Sequence, residues 1–513
     1  MIEVEVHNSL RSFLRSHSEP YWPHHLTMAR LVARALRLGR SALIQTGFPP
    51  GGHYQRYRVS YLMPLLMWPT PAVLVAPARL QEHLVQVEIP RLQEWLLTHK
   101  PIQTPPTGAD FQGLLLAEPE LWLADRLAGG NQFPQGVPTI IDGIDDLEAW
   151  TRDRLTARWQ PGDWYELMQQ LPEQTDLIRE ARVQLTRSLF QHPANPYECY
   201  LLEATEVEIL QTLWENLNQA TREETSSLPE AWLKFWHRWH KDGALRWAEI
   251  SRAQGSFSLA CAPLEVGSAL SQIWPQQPVV LMGGAVDLET QAPIYRQAIG
   301  LEDVTCVKFS PDRQSEMIQL YVPERLPMPN TPQFQAALMQ EVRTLLCMSA
   351  SVPGLTVILS GDVPLKAQLG AVLASEFGSR VQVEKTDLPE NGILVTGWEF
   401  WREWQGVLPA PHLLAIATLP LPSLEHPLVA ARVAQYKEQR KDWFRLYLLP
   451  AALNELQRAV APVRERQGVV ALLDSRAIHR SYGQQIFAAL SPHARIDYLD
   501  STWLMQLEQG RGF

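Results

Sequence analysis

Two glycines with the spacing of a phosphate-binding loop are the residues with the clearest chemical potential. They are Gly47 and Gly52, and they follow the apolar run 42–45, which predicts a buried strand. In such a loop a lysine and a hydroxyl residue follow the second glycine, because the lysine contacts the phosphates and the hydroxyl holds Mg²⁺. Here those positions are His53 and Tyr54. The sequence therefore predicts the frame of a nucleotide-binding loop without its phosphate clamp.

A second alignment of this loop does not restore the lysine. If the following helix is the anchor, Tyr57 takes the lysine position and the loop is longer than the pattern allows. Pro49 and Pro50 also lack the N–H groups that would bind phosphate. Arg56 or Arg58 could contact a phosphate instead, but neither has a Ser or Thr where Mg²⁺ would need one.

Composition describes an ordinary globular protein of more than one domain. The chain has 513 residues, of which 46% are hydrophobic and 19% charged, so we expect roughly two or three domains. The net charge of −10 argues against a large nucleic-acid footprint, although a local basic groove is compatible with it.

The cysteines and the apolar segments indicate a cytoplasmic protein. Four cysteines are scattered without a C-x2-C pair, which predicts no metal site and no disulfide framework: Cys199, Cys261, Cys306 and Cys347. The N-terminus lacks the features of a signal peptide. Prolines interrupt the uncharged stretch 61–78, so no membrane partner is expected.

Apolar strands alternate with helical segments at both ends of the chain and predict parallel sheets covered by helices on both faces. Between 151 and 255 the strand pattern gives way to a charged, Trp-rich helical pattern. We therefore predict an α/β fold in which 1–150 and 256–290 form a first domain and 151–255 form a helical insertion. Residues 291–513 are predicted to form a second α/β domain.

Several segments, in this order, resemble the motifs of the DinG/XPD-type superfamily 2 DNA helicases. VLVAPARLQ at 73–81 is similar to the family's V-L-V-A-P-T-x-x-L-Q, and TIIDGIDDLE at 139–148 resembles V-I-I-D-E-A-H-x-L-E. LMGGAV at 281–286 takes the place of L-T-S-A-T-L. The resemblance spans most of the chain except the insertion.

The second half carries the closing motifs of the same family. WEFWRE at 398–403 resembles S-F-W-E-G-V-D, and LPLPSLEHPL at 419–428 resembles L-P-F-x-x-P-x-x-P. QRAVAPVR at 457–464 follows Q-x-x-G-R-x-x-R, and it precedes VALLDSR and SYG. The resemblance implies two RecA-like domains, the family's ATP-dependent DNA helicase activity, and Arg79, Trp398 and Trp401 as candidate nucleic-acid contacts.

Departures from the family motifs fall on the residues that would hydrolyse ATP. Besides His53 and Tyr54, the water-positioning glutamate is replaced by Gly143 and a transition-state arginine by Ala461. Asp145 or Asp146 would have to reach back to serve as a base. The remnants of a nucleotide site that the resemblance leaves are Gly47, Gly52, Asp142, Gln457 and Arg464.

These losses predict a pseudoenzyme that needs no cofactor. Because the missing groups act as a unit, we expect no ATP hydrolysis, and ATP with Mg²⁺ would bind only if the family activity survives. No cysteine lies between Gly47 and Asp142, where many relatives bind an iron–sulfur cluster, so no cluster is expected. The alternatives are an active ATP-dependent helicase and a scaffold for an unidentified protein partner. Single-stranded DNA or another nucleic acid is the other candidate partner.

Three further groups of residues have a structural and a functional interpretation. Trp232, Trp236 and Trp239 recur at helical spacing, which favours a packed face over base stacking. His25 falls where relatives have an adenine-reading glutamine, and a surface or capping role is preferred. A basic stretch is interpreted as a solvated face rather than a phosphate track, and it contains Lys437, Arg440, Lys441 and Arg445.

Overall fold

A computed structural model describes residues 2–17, 22–47, 57–105, 111–130, 132–223, 228–241, 243–311, 316–350 and 352–496. Gly52, His53 and Tyr54 lie outside the described residues. The chain divides into two compact units. The main unit comprises Met1–Leu147, Ser271–Leu421 and Leu448–Phe513, and the side unit comprises Glu148–Leu270 and Pro422–Tyr447.

The first α/β domain opens with two helices and then alternates strands with helices. Its strands are fully buried where they are central, which matches the continuous apolar runs of the sequence. The elements up to the insertion are α1 (Ile2–Ser16), α2 (His25–Leu38), β1 (Ala42–Gln45), α3 (Arg58–Met67), β2 (Ala72–Val75), α4 (Ala78–His83), α5 (Ile89–Leu96), β3 (Ile102–Gln103), β4 (Leu114–Ala117), α6 (Pro119–Ala128), β5 (Thr139–Asp142) and α7 (Leu147–Leu155).

The insertion is not purely helical, and the prediction that strands vanish between 151 and 255 is wrong. Its elements are β6 (Ala157–Trp159), α8 (Asp163–Gln170), α9 (Thr175–Gln191), β7 (Cys199–Leu201), α10 (Ala204–Glu223), α11 (Glu230–Trp239), β8 (Ala244–Ser251) and β9 (Ser256–Pro263). The strands form an antiparallel sheet in the order β6-β9-β8-β7. Helix α11 packs Trp232, Trp236 and Trp239 into the core of this unit, so the prediction of a packed face is confirmed.

The chain then returns to the first sheet and completes it. The returning elements are α12 (Gly267–Leu270), β10 (Val279–Gly283), α13 (Pro293–Ala298) and β11 (Thr305–Lys308). All neighbours in the first sheet are parallel, in the order β11-β1-β10-β5-β2-β4-β3. Because β11 pairs with β1, the first domain continues beyond the predicted boundary at 290.

The second α/β domain carries another parallel sheet, in the order β14-β15-β13-β16-β17-β12-β18. The segment Pro422–Tyr447 within this stretch belongs to the side unit. The elements are β12 (Ile318–Tyr321), α14 (Phe334–Ser349), β13 (Thr356–Leu359), α15 (Val363–Phe377), β14 (Val381–Val383), β15 (Ile393–Thr396), α16 (Trp398–Trp404), β16 (Leu413–Ile416), α17 (Pro427–Glu438), α18 (Leu449–Glu465), β17 (Val469–Leu472), α19 (Arg476–His479), α20 (Gly483–Ala489) and β18 (His493–Ile496).

Two RecA-like parallel-sheet domains with an insertion in the first confirm the predicted α/β fold class. In a parallel sheet all carboxyl ends meet at one edge, which is where open α/β folds place their ligand sites. Asp142 ends β5, and the loop after β10 lies beside it because β5 and β10 are paired. This edge is therefore where the candidate site is found.

Candidate functional site

Asp142 is buried beneath two tyrosines. Its side chain has no exposed surface, and each carboxylate oxygen accepts one hydrogen bond, Oδ1 from the Tyr57 hydroxyl and Oδ2 from the Tyr61 hydroxyl, both at 2.8 Å. Tyr57 directly precedes α3 and Tyr61 lies one turn along, so both hydroxyls leave the same helix face. In the second alignment of the glycine loop, Tyr57 takes the position of the family's lysine. Its hydroxyl is hydrogen-bonded to the aspartate that corresponds to the family's metal-binding carboxylate.

Burial sets the electrostatics of this cluster. It raises the pKa of Asp142, against the opposing effects of the nearby Arg58 guanidinium and the two hydroxyls. Burial also raises the pKa of both Tyr57 and Tyr61 well above the ordinary range, and the Asp142 charge adds to the effect. The tyrosines therefore keep their protons and remain donors at neutral pH. The arrangement is a closed hydrogen-bonded plug in which Asp142 lacks access to solvent.

Gly143 occupies the position of the water-positioning glutamate and has left-handed backbone geometry. Its φ of 99° favours glycine, and it lets the chain turn from β5 into the loop that carries Asp145 and Asp146. We call residues 142–146 the acidic loop. A glutamate at this point would be strained by the backbone. Substitution of Gly143 alone would therefore place a carboxylate here only at the cost of that strain.

Asp145 caps the loop after β10. Its carboxylate accepts the N–H of Gly284 at 2.9 Å and that of Ala285 at 3.4 Å. Burial raises the pKa of Asp145 to about 6, although the Arg458 charge and the Gly284 amide oppose the rise. Gly283 leaves no room for a side chain here, since a Cβ would lie 2.6 Å from Asp145 Oδ2. The residue acts as a structural cap between neighbouring strand ends.

Asp146 joins the first domain to the second through Arg458 on α18. Arg458 donates both terminal nitrogens to the Asp146 carboxylate, at 2.7 and 2.8 Å, a bidentate pair with side chains 13% and 25% exposed. Burial alone would lower the pKa of Arg458, but Asp146 outweighs it and raises the pKa. One turn earlier, the Asn454 amide donates to the Val286 carbonyl at 3.0 Å. The two α/β domains therefore contact each other directly at the acidic loop.

Arg464 supports the second domain from within and does not face the acidic loop's carboxylates. Its guanidinium donates to the backbone carbonyls of Glu316, Leu490, Ser491 and Pro492, at 2.6–3.2 Å. Burial lowers its pKa to about 10. The prediction of a nucleotide-site remnant at Arg464 has to be corrected, because these carbonyls take up its terminal nitrogens. The arginine that reaches the acidic loop is Arg458, which the motif comparison passes over.

The other remnants lie nearby without forming a phosphate site among the described residues. Gln457 precedes Arg458, and its buried side-chain oxygen has no hydrogen-bond partner in the described part of the chain. Ala461 is half-buried on the same helix. Gly47 donates its N–H to the Gly284 carbonyl at 2.8 Å, which ties the start of the glycine loop to the strand end that Asp145 caps.

The tryptophans predicted to contact nucleic acid belong to the second-domain core. Trp401 has no exposed surface and donates its indole N–H to the Ala459 carbonyl at 3.1 Å, and Trp398 is 7% exposed. Both predictions are corrected, because a buried indole offers no face to a base. Arg79 at the start of α4 is exposed, and its guanidinium lies 5.2 Å from the ring centroid of Trp404. It makes a cation–π contact between the two α/β domains.

His25 is a buried helix contact and not a surface or capping residue. It is 4% exposed, and its Nδ1 lies 2.9 Å from the Ser60 hydroxyl of α3. Its ring also meets Trp22 edge to face. The preferred sequence interpretation is wrong here because α2 and α3 pack closely enough to enclose the imidazole.

The described residues contain no cluster of three or more His, Cys, Asp or Glu side chains that could hold a metal ion. No helix in the same residues is long and apolar enough to span a membrane. The carboxylates of the acidic loop contact tyrosines, backbone amides and an arginine.

Sequence comparison finds two helicases as relatives, and no family model matches the chain. The chain is 23% identical over 285 residues to the ATP-dependent DNA helicase YoaA of Escherichia coli K12, across 53% of this chain and 44% of that protein. It is 27% identical over 216 residues to YoaA of Haemophilus influenzae, across 39% and 33% respectively. The matched region spans less than half the length of either relative.

Solved XPD structures share the fold. An S. tokodaii Xpd4 structure superposes with a TM-score of 0.61 at 12% identity, covering 93% of this chain and all of that one. A structure of XPD in the apo form gives 0.60 at 12% identity and covers 92% of this chain. At this identity the similarity establishes the fold alone.

Proposed function

Because the chain is a relative of the DinG/XPD-type superfamily 2 helicases, we propose that it is a pseudoenzyme that binds nucleic acid and does not hydrolyse ATP. The relatives by sequence are ATP-dependent DNA helicases, which makes DNA the first nucleic acid to test. The two-domain fold is retained, whereas the chemistry at the sheet edge is replaced by contacts within the chain.

One observation carries the proposal: every carboxylate of the acidic loop is already bound. Asp142 is capped by two tyrosines, Asp145 holds backbone amides, and Asp146 holds Arg458. ATP hydrolysis of this class needs a carboxylate for Mg²⁺ and another group that positions the attacking water. Freeing Asp142 would expose two buried hydroxyls without acceptors, at a cost of roughly 1–3 kcal/mol each. That cost opposes metal binding at this position.

Nucleotide binding and hydrolysis test the enzymatic half of the proposal. Calorimetric titration of the full chain with ATP and Mg²⁺ is expected to give no saturable heat. Steady-state phosphate release with single-stranded DNA present is expected to stay at the level of the buffer. Because Asp142→Ala would leave the tyrosines unpaired, the informative variant is Asp142→Asn, which keeps one acceptor oxygen and the side-chain shape.

The matched control is Asp474→Asn, which changes an equally buried aspartate in the other α/β domain. DNA-stimulated hydrolysis that is lost in Asp142→Asn and retained in Asp474→Asn would overturn the pseudoenzyme proposal. It would establish the alternative, an active helicase that uses non-standard residues.

Binding of a fluorescent oligo-dT without nucleotide tests the other half. We expect binding that weakens as salt rises, because phosphate contacts release counterions. If the chain shows neither ATP hydrolysis nor oligonucleotide binding, the nucleic-acid module is refuted and the protein-interaction scaffold remains as the function.

A further inference from the structure

The end of α17 and the turn that follows it form a compact basic surface in the side unit. We call residues 436–447 the basic turn. The helix ends where Arg440 adopts a φ of 55°, and the Lys441 N–H returns to the Tyr436 carbonyl at 2.9 Å. The chain then reverses, so that the Tyr436 and Tyr447 rings stack with centroids 6.2 Å apart. The turn is therefore closed by its own contacts.

Four exposed cations dominate this surface: Lys437, Arg440, Lys441 and Arg445. The carboxylates of the basic turn are Glu438 and Asp442, and Asp442 lies 3.7 Å from Arg445 while also accepting its N–H. The surface therefore stays cationic in a chain whose net charge is −10. A solvated face laced by salt bridges would need more carboxylates than these.

Aromatic rings alternate with the cations. The Lys437 ammonium lies 5.4 Å from the Trp443 ring centroid, and the Lys441 ammonium lies 5.9 Å from that of Tyr436. Trp443 and Tyr436 are half-buried, so part of each ring remains accessible. Flat rings beside ammonium groups can meet the two chemical parts of a single strand, namely its bases and its phosphates.

An ion pair between Arg432 and Glu148, both outside the basic turn, anchors the turn through Tyr447. The Arg432 guanidinium lies over the Tyr447 ring at 4.2 Å and contacts the Glu148 carboxylate of α7 at 2.8 Å, with side chains 12% and 27% exposed. Burial opposes ionisation of Glu148, but Arg432 and Arg152 outweigh it and lower the pKa. This ion pair stays formed at neutral pH and holds the turn on the rest of its unit.

We propose that the basic turn is a contact surface for single-stranded nucleic acid, an inference that rests on the nucleic-acid part of the proposed function. Its cations bind successive phosphates, and Trp443 stacks against a base. A duplex hides its base faces and an acidic peptide has none, so a single strand fits both features of the surface.

Anisotropy titrations of a labelled oligo-dT across a range of NaCl concentrations test the surface. The double variant Lys437→Gln/Lys441→Gln removes two phosphate contacts, so the slope of log K against log salt is expected to fall by about 1.4. Trp443→Leu is expected to weaken binding by about tenfold or more and to leave the salt slope unchanged, because stacking releases no counterions.

The matched control is Lys234→Gln/Arg179→Gln. It makes the same change of charge at exposed positions on two helices of the same unit, with side chains 71% and 62% exposed. It is expected to bind like the wild type, and thermal unfolding at the wild-type temperature verifies that each variant is folded.

The outcomes separate this inference from the proposed function. Wild-type binding that persists unchanged in the basic-turn variants would overturn the inference and leave the nucleic-acid module intact. Absence of oligo-dT binding by the wild type would overturn both. Equal competition by duplex DNA or by polyglutamate would also refute a single-strand surface.

Discussion

The two α/β domains each place a buried aspartate at the end of a central strand, and they hold it by different chemistry. Asp142, the last residue of β5, accepts its side-chain hydrogen bonds from two neutral hydroxyls. Asp474 after β17 is paired with the Arg476 guanidinium through Nε at 2.9 and 3.0 Å, and it also accepts the Leu419 N–H at 2.8 Å. Both side chains have no exposed surface.

The difference shows that a residue can keep the type that a family motif requires while its surroundings give it different chemistry. In the second domain a charged partner, itself 24% exposed, joins the carboxylate to solvent-accessible surface. In the first domain the partners are buried phenols, so the carboxylate is sealed from solvent. Two neutral hydroxyls hold Asp142 where a charged guanidinium holds Asp474, although the position of Asp142 in the sequence matches the family motif.

Replacing each aspartate by alanine should reveal this difference most strongly. Asp142→Ala leaves two buried hydroxyls without acceptors and removes the carboxylate beside Arg58, so we expect a loss of about 4 kcal/mol in the free energy of unfolding. Asp474→Ala leaves Arg476, which can reach water, and should cost about 2 kcal/mol. Urea denaturation of the full chain measures both. Equal losses of unfolding free energy in the two variants would show that the hydrogen bonds from Tyr57 and Tyr61 do not make Asp142 more important for stability than Asp474.

A second contrast lies within α18, between Arg464 and Arg458. Arg464→Met should lower the free energy of unfolding by about 3 kcal/mol, because four backbone carbonyls lose their donor inside the domain. Arg464→Lys should recover part of that loss, since an ammonium can serve some of those carbonyls. Denaturation curves of the two variants are the measurement. If Arg464→Met leaves the free energy of unfolding unchanged, Arg464 again becomes a candidate ligand contact.

The link between the domains can be measured by a double-mutant cycle on Asp146 and Arg458. Asp146→Asn, Arg458→Met and the double variant should give a coupling free energy of about 2 kcal/mol, as expected for a bidentate and mostly buried pair. Glu455 on the same helix pairs with Arg402 at 3.2 Å. A cycle on Arg402 and Glu455, which lie within one domain, is the control. Zero coupling at Asp146 would mean that the acidic loop is not held by the second domain.

Much of the fold could be predicted from the sequence, because parallel strands buried on both faces read as continuous apolar runs. Ala42–Gln45 is a strand with the predicted limits. Strand β8 was missed since its antiparallel sheet mixes exposed and buried residues along the run Ala244–Ser251. Strand β7 has only three residues and lies between long helices. Local pattern alone does not reveal such strands.

The site was predictable in position but not in its partners. The spacing of Tyr57 and Tyr61 shows that they share a helix face, yet only the tertiary structure brings that face to Asp142. On α18 the motif order selected Arg464 over Arg458. Six positions along a helix turn through about 600°, so these side chains leave on different faces. The packing of α18 decides which of them meets the acidic loop.

The smallest predicted effect is a pH dependence that belongs to Asp145. Its pKa rises from 3.8 to about 6 on folding, mainly through burial, so the folded state binds the proton more tightly than the unfolded chain. The resulting stabilisation is complete below the unfolded pKa and is lost as the pH rises through the folded one. Between pH 5 and pH 7 the wild type should therefore lose about 1 kcal/mol relative to Asp145→Asn, which cannot titrate.

The measurement is a series of urea denaturations of both proteins across that pH window, at constant ionic strength. Groups common to the two proteins, including Asp142 with its own raised pKa, cancel in the difference. A difference that stays flat would show that the amides of Gly284 and Ala285 hold the ionised carboxylate as well as water does. A difference of the opposite sign would mean that Arg458 governs Asp145 as well as Asp146, and the acidic loop would then be stabilised by charge from the second domain rather than sealed by burial in the first.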